Sequence, residues 1–202
     1  MSHPTIVLAS TSPFRRELLQ RLGMEFATAS PNTDETRLPN ETPENLVVRL
    51  AKAKARAVAG KYPDALIIGS DQVACVDGIV LGKPGDRDRA IAQLSRAAGK
   101  AVTFYTGLCL LNAATGKVQT RCEPFRVHFR RLTQAQIEGY VNLERPFNCA
   151  GSFKSERLGI ALFERLEGDD PNALIGLPLI RLVAMLEVEG VDPLASTPHM
   201  AQ

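Results

Sequence analysis

Strands interleaved with amphipathic helices, and joined in places by tight hairpins, predict an α/β fold with a mixed sheet and flanking helices. Three observations carry this. Residues 65–68 (Ala-Leu-Ile-Ile) are a continuous apolar run, as in a strand buried on both faces. Asp77-Gly78 between two apolar runs is a two-residue hairpin signal, which brings antiparallel neighbours into the sheet. Between the strands lie stretches with apolar residues at helical spacing, such as Leu46 and Leu50.

Taken in order, residues 5–9 are a short apolar run and a candidate first strand. Ser12 then stands as an N-cap with Pro13 at the first helical position, and a helix runs to Gly23 with Leu18, Leu19 and Leu22 on its buried face. Residues 28–42 are polar and contain proline, so they read as a loop long enough to be functional. Thr42-Pro43 opens a second helix that continues to about Ala59 and is ended by Gly60. The strand from 65 continues through Gly69-Ser70-Asp71-Gln72 to Val76, and residues 79–81 return antiparallel. Residues 86–97 form another amphipathic helix, closed by Gly99. Residues 101–112 and 117–129 read as two strands joined by the Ala114-Thr115-Gly116 turn. Thr133 with Gln136 resembles a capping box for a helix through about Asn142. Residues 160–163 read as a last strand, 178–189 as a final helix, and 193–202 as a frayed tail. No internal repeat or linker divides the chain, so 1–202 is expected to be a single domain.

Composition narrows the function classes. An apolar fraction of 45% and a charged fraction of 23% are those of a soluble globular protein. Net charge is only +2, so the footprint of a general nucleic-acid binder is missing and any anion site must be a local cluster. The four cysteines, Cys75, Cys109, Cys122 and Cys149, are widely spaced and lack a C-x-x-C pair, which speaks against a zinc site and a disulfide framework. No signal peptide and no membrane-spanning run of about 18 apolar residues is visible, so a cytoplasmic location without membrane contact is expected.

Three clusters carry chemistry. In Ser10-Thr11-Ser12-Pro13-Phe14-Arg15-Arg16 a strand leads through a turn to a helix N-terminus, whose free N–H groups suit an anion. Arg15 and Arg16 stand in the first helical turn, where the macrodipole disfavours cations by about 0.3–1 kcal/mol each. Phosphate binding by hydroxyls, amides and guanidinium gives them a purpose. Asp71 lies in the middle of an apolar strand, at a desolvation cost unless it is paired or metal-bound. Counting back from the hairpin sets Gln72 opposite Lys83 and makes Asp71 and Lys83 near neighbours, subject to a shift at Gly82 and Pro84. Lys54 follows Leu46 and Leu50 at i, i+4, i+8, on an apolar helical stripe. It either snorkels along the core edge or aims a cation into a cleft. With Asp34-Glu35 in the polar loop, these residues form the inventory for cleaving a phosphoanhydride: cations to clamp phosphates and carboxylates to hold a divalent ion or activate water. P-loop, G-x-G-x-x-G and G-x-S-x-G motifs are all absent.

Together the run 8–16 (L-A-S-T-S-P-F-R-R), Asp34-Glu35-Thr36, Leu50-Ala51 with Lys54-Ala55, Gly69-Ser70-Asp71-Gln72, Gly82-Lys83-Pro84, residues 103–107 (T-F-Y-T-G) and residues 150–156 (A-G-S-F-K-S-E) resemble the Maf family over nearly the whole chain. The resemblance implies a twisted mixed sheet in two lobes around a central cleft, of the Maf/inosine-triphosphatase type. It implies a nucleoside triphosphate pyrophosphatase that cleaves the α–β phosphoanhydride, a requirement for Mg²⁺ or Mn²⁺, and a homodimer. Asp71 matches the catalytic proton acceptor. Ser10, Arg15, Arg16, Glu35, Lys54 and Lys83 match phosphate- and metal-site positions, with Glu35 and Asp71 as metal ligands and Lys83 and Glu35 beside Asp71 in catalysis. Whether Asp71 is base, metal ligand or both is open, because a metal-bound carboxylate is a poorer base. Phe14, Gln72 and Glu156 match the positions that set base specificity, and they are similar to those of the subgroup acting on 7-methyl-GTP. Phe14 stands where that subgroup often has Trp, a stronger π partner for a cationic base. Two other readings stay open: a pyrophosphatase for another modified or non-canonical nucleotide, and a non-catalytic nucleotide-binding regulator of septum formation. The partner is in each case a small-molecule nucleotide, and no stable nucleic-acid partner is expected.

Overall fold

The computed structural model describes residues 4–195. Residues 196–202, most of the expected tail, lie outside the described residues. In chain order the elements are β1 (Ile6–Ala9), α1 (Pro13–Gln20), β2 (Ala27–Ala29), α2 (Pro43–Ala59), β3 (Leu66–Val76), β4 (Ile79–Leu81), α3 (Arg87–Ala97), β5 (Ala101–Asn112), β6 (Val118–Phe129), α4 (Gln134–Glu144), β7 (Phe163–Glu167), α5 (Pro171–Ile175) and α6 (Leu179–Val188). The seven strands form one mixed sheet in the order β2-β1-β3-β5-β6-β7, with β4 also on β3. β1 is parallel to both β2 and β3, and every other pairing is antiparallel.

The apolar run predicted at 65–68 opens β3, which is buried on both faces. Ile67 packs with Ala51 and Ala55 of α2, whereas Leu66 and Ile68 pack with Leu18 and Leu19 of α1 and Leu182 and Leu186 of α6. A third apolar cluster gathers Ala74, Val76, Phe104, Phe125 and Phe129 under α3 and α4. Helix boundaries follow the capping residues: Ser12, Thr42, Asp86 and Thr133 each accept a bond from a first-turn amide, and Pro13 and Pro43 open their helices. At the hairpin Asp77 and Gly78 both have positive φ, 50° and 76°, as a primed two-residue turn needs.

Three expectations change. The short β2 occupies part of the stretch read as loop, held by its ladder to β1 and by Ala27 and Ala29 against the core. The last strand is Phe163–Glu167 rather than 160–163, because Leu158–Leu162 coils into a 3₁₀ turn and the strand begins where β6 offers a partner. The five-residue α5 was not anticipated; it starts at the buried Asp170, whose carboxylate accepts from the N–H groups of Asn172 and Ile180.

The pairing of β3 makes the site. One edge is taken by β5 from Leu66 to Cys75. The other edge is shared: β1 pairs with residues 66–68 and β4 with residues 74–76. Between them, among the described residues, 69–73 have no strand on that side, and the sheet opens where β1 ends. A gap at the carboxyl end of a strand is where open α/β sheets place ligands. Asp71 is in the middle of this gap.

Candidate active site

A cleft of about 720 Å³ fills the gap, a volume that suits a small organic ligand. Ser10, Phe14, Arg15, Glu35, Lys54, Asp71, Gln72, Lys83 and Glu156 all line it. Of the residues singled out in the sequence, Arg16 and Asp34 do not line the cleft; Arg16 is exposed on the outer side of α1.

Close approach of α2 to the sheet sets the geometry. A Cβ on Gly69 would lie 2.1 Å from the carbonyl oxygen of Ala51, and one on Gly107, the β5 partner of Asp71, 2.1 Å from that of Val47. The two glycines let the helix backbone lie on the strands. Lys54, one turn beyond Leu50, is thereby buried and lines the gap rather than snorkelling along the core edge. Its Nζ lies 2.6 Å from Asp71 Oδ1 and 2.6 Å from Glu35 Oε1. Asp71 is nearly buried, and pairing with Lys54 meets the cost that its place in an apolar strand implied.

Glu35 reaches the cleft from the loop after β2. That loop is fixed by Arg49 of α2, whose guanidinium donates to both carboxylate oxygens of Glu41, at 2.6 and 2.8 Å, and to Thr36 O at 3.0 Å. Burial works to raise the Glu35 pKa, but the bond from Lys54 and the charges of Lys54, Lys83 and Arg15 outweigh it and hold the carboxyl below its ordinary value. Lys83 therefore acts on Glu35 as well as facing the cleft. The strand pairing that would have set Gln72 opposite Lys83 stops at Ala74 and Leu81, after which Gly82-Lys83-Pro84 diverge. Among the described residues Lys83 has no ion-pair partner and is exposed, a cation free to meet a ligand.

Arg15 is aimed by the C-terminal part of the chain. Its Nε donates to Gly176 O at 2.9 Å, and Ser70 Oγ donates to the same oxygen at 2.9 Å. Burial lowers its pKa while Asp71 and Glu35 pull it up, and a guanidinium stays charged throughout. Ser10 Oγ accepts from the Ser12 amide at 3.1 Å, which closes the turn before α1. The Gln72 amide nitrogen donates to Ala173 O at 2.7 Å, Leu174 O at 3.1 Å and Thr106 Oγ1 at 3.0 Å. Its NH₂ is thus committed to α5, and its carbonyl is the group left for a ligand.

The loop after α4 supplies two lining residues that the sequence reading did not name, Arg145 and Asn148, and Lys154, which it quoted in the 150–156 run without a role. A signal for the first is its left-handed backbone, φ 46°, at the end of α4; this is visible only in the structure.

Among the described residues no three His, Cys, Asp or Glu side chains cluster as a closed metal site. Glu35 and Asp71 share one cation, so their nearer oxygens are at most twice the 2.6 Å contact apart. Two carboxylates at the rim of an open cleft fit Mg²⁺ or Mn²⁺, which binds through one or two carboxylates and completes its shell with water and substrate phosphates. All four cysteines are free thiols. No described helix is long and apolar enough to cross a membrane.

The sequence profile of the family described as Maf-like protein matches residues 5–189. A protein of Alcanivorax borkumensis called 7-methyl-GTP pyrophosphatase is 62% identical, over 94% of this chain and 96% of its own. Proteins with the same name from Nitrosococcus oceani and Colwellia psychrerythraea are 58% and 56% identical; the alignments cover 93% and 95% of this chain and 94% and 96% of theirs. The Ham1 protein of Staphylococcus aureus has a similar fold, with a TM-score of 0.52 at 16% identity over 92% of this chain and 99% of that one.

Proposed function

The chain belongs to the Maf family, and from that premise we propose that it is a nucleoside triphosphate pyrophosphatase acting on 7-methyl-GTP, releasing 7-methyl-GMP and pyrophosphate. The observation that carries the reading is the Lys54–Asp71–Glu35 cluster in the gap of β3, with Arg15 and Lys83 converging on the same cleft. The shared name of three relatives at 56–62% identity supports the substrate.

In this reading Arg15, Lys54 and Lys83 hold the triphosphate, Arg15 through the guanidinium face left free by Gly176. Ser10 and the first amides of α1 take further phosphate oxygens. Asp71 accepts the proton of the attacking water, and Lys54 orients that carboxylate. Bound by Glu35 and Asp71, a Mg²⁺ or Mn²⁺ ion would neutralise charge on the phosphate oxygens. Methylation at N7 makes guanine cationic, which favours the face of Phe14 and a carboxylate, Glu156, at the N–H edge of the base. A cytoplasmic place of action, a homodimeric assembly and the absence of a nucleic-acid partner belong to the same proposal; the net charge of +2 supports the last.

Pyrophosphate release with Mg²⁺ from 7-methyl-GTP, GTP, dTTP and UTP tests it. The methylated nucleotide is expected to turn over fastest, and Asp71→Asn to lower kcat by about a thousandfold while nucleotide still binds. Hydrolysis that survives Asp71→Asn unchanged would remove the catalytic reading.

A further inference from the structure

Glu144 ends α4 as a buried carboxylate, and a buried charge must be held by partners. Among the described residues its partners all lie on the turn that follows Phe153. Lys154 Nζ donates to the Glu144 carbonyl at 2.8 Å and lies 3.6 Å from Oε2. Arg157 Nε lies 3.5 Å from the same oxygen, and the Leu158 amide donates to Oε1 at 3.4 Å. One turn earlier on α4, Tyr140 Oη accepts from the Lys154 amide at 3.0 Å. The turn is thus tied at 154 and again at 157 and 158. Glu156 stands between the ties, exposed and lining the cleft, and Ser155 Oγ donates to it at 3.4 Å. The turn is also tight, since a Cβ on Gly159 would meet Lys154 O at 2.3 Å. Oε2 of Glu144 accepts no hydrogen bond although two cations are within ion-pair reach, so its hold on them is electrostatic.

We propose that Glu144 is a positioning residue for base selection: it anchors both sides of the 154–158 turn and so sets where Glu156 meets the base. The inference rests on Glu156 as the base contact, and the experiment separates the two. In Glu144→Ala the Leu158 amide, which loses its Oε1 acceptor, is expected to exchange with solvent at least tenfold faster, while the Lys154 amide, which donates to Tyr140 Oη, and the β3 amides keep their protection; unaltered exchange at Leu158 overturns the anchor. The ratio of kcat/KM for 7-methyl-GTP over GTP is expected to fall about tenfold in Glu144→Ala and less in Glu144→Gln, which keeps an acceptor for Leu158. Lys154→Met, which cuts one tie and leaves the carboxylate beside Arg157, is expected to lose about threefold, and it serves if Glu144→Ala does not fold. Added to Glu156→Gln, Glu144→Ala is expected to cost no further selectivity, whereas additive losses refute an action through Glu156. If Glu156→Gln alone leaves the ratio unaltered, the base contact fails, and amide exchange alone decides the anchor.

Discussion

Replacing Gly107 by Ala tests whether the seat of α2 sets the geometry of the site. A Cβ there would lie 2.1 Å from Val47 O and 2.3 Å from Val47 C, against a practical minimum of 3.0 Å. The Val47 carbonyl must therefore retreat by about 0.9 Å, the difference between 3.0 and 2.1 Å. Both contacts are backbone, so no flexible side chain can swing aside. Val47 and Lys54 are seven residues apart, on one face of the helix and about 10 Å along it, so a rigid retreat carries Lys54 with it. The lysine stem recovers part of the shift, but contacts of 2.6 Å to both Asp71 and Glu35 are not kept together. Overpacking of this kind costs about 1–3 kcal/mol, and in a chain of this size each kcal/mol lowers Tm by about 2–4 °C. Misplacing a positioning group by about 1 Å costs on the order of 100-fold in rate. Thermal melting and pyrophosphate release from 7-methyl-GTP read the two effects. Gly139→Ala is the control: it is exposed on α4 with nothing within 4 Å of a Cβ, so it is expected to gain about 0.5–1 kcal/mol and leave kcat unaltered. A Gly107→Ala protein with the parent Tm and kcat would refute the reasoning.

Lys54→Met leaves the nearly buried Asp71 carboxylate without its ion-pair partner, so a stability loss of about 3 kcal/mol and a fall in kcat of at least 100-fold are expected; denaturant melts and steady-state kinetics check both, and a stable, active variant contradicts the pairing. Acid stability should depend on Arg49, whose hydrogen bonds hold Glu41 down to about 2. Glu35 is likewise depressed, so both carboxylates contribute stability that is present above their ordinary value of 4.5 and lost as pH falls below it, for Glu41 toward about 2. Arg49→Met is expected to flatten the fall of the denaturant midpoint across that window, and an unaltered slope would contradict it.

Much of the fold was legible because local chemistry marked it. Thr42-Pro43 and Gly60 bracket α2 in sequence and in structure, and Asp77-Gly78 turns the hairpin as its residue types demand. The parts that were not legible are those held by tertiary partners alone. β2 has three residues and exists through its ladder to β1. β7 is a largely exposed edge strand whose sequence, Phe-Glu-Arg-Leu-Glu, carries little apolar alternation. α5 has five residues and depends on Asp170, a buried cap that reads in sequence as an ordinary loop acid. The site divides the same way. Asp71 and Lys54 were found because each is charged on an apolar stripe, whereas Arg145 and Asn148 reach the cleft from an irregular loop with no period to betray them. Arg16 has the same residue type and helix end as Arg15, and only the backbone direction of α1 separates the guanidinium that meets Gly176 from the one that faces solvent.

The carbonyl of Gly176 serves Arg15 and Ser70 at once, and 161 residues separate it from Arg15. Chains are made from the N-terminus and fold in that order. The turn with Ser10 and Arg15, the strand with Asp71 and the helix with Lys54 all leave the ribosome well before Gly176 is added. A nascent chain can therefore bring its carboxylates and lysine together while the guanidinium that would receive a nucleotide still lacks its aim. Competence arrives with the C-terminal segment, so a chain cut short before α5 loses both the carbonyl that aims Arg15 and the α6 residues that pack on β3.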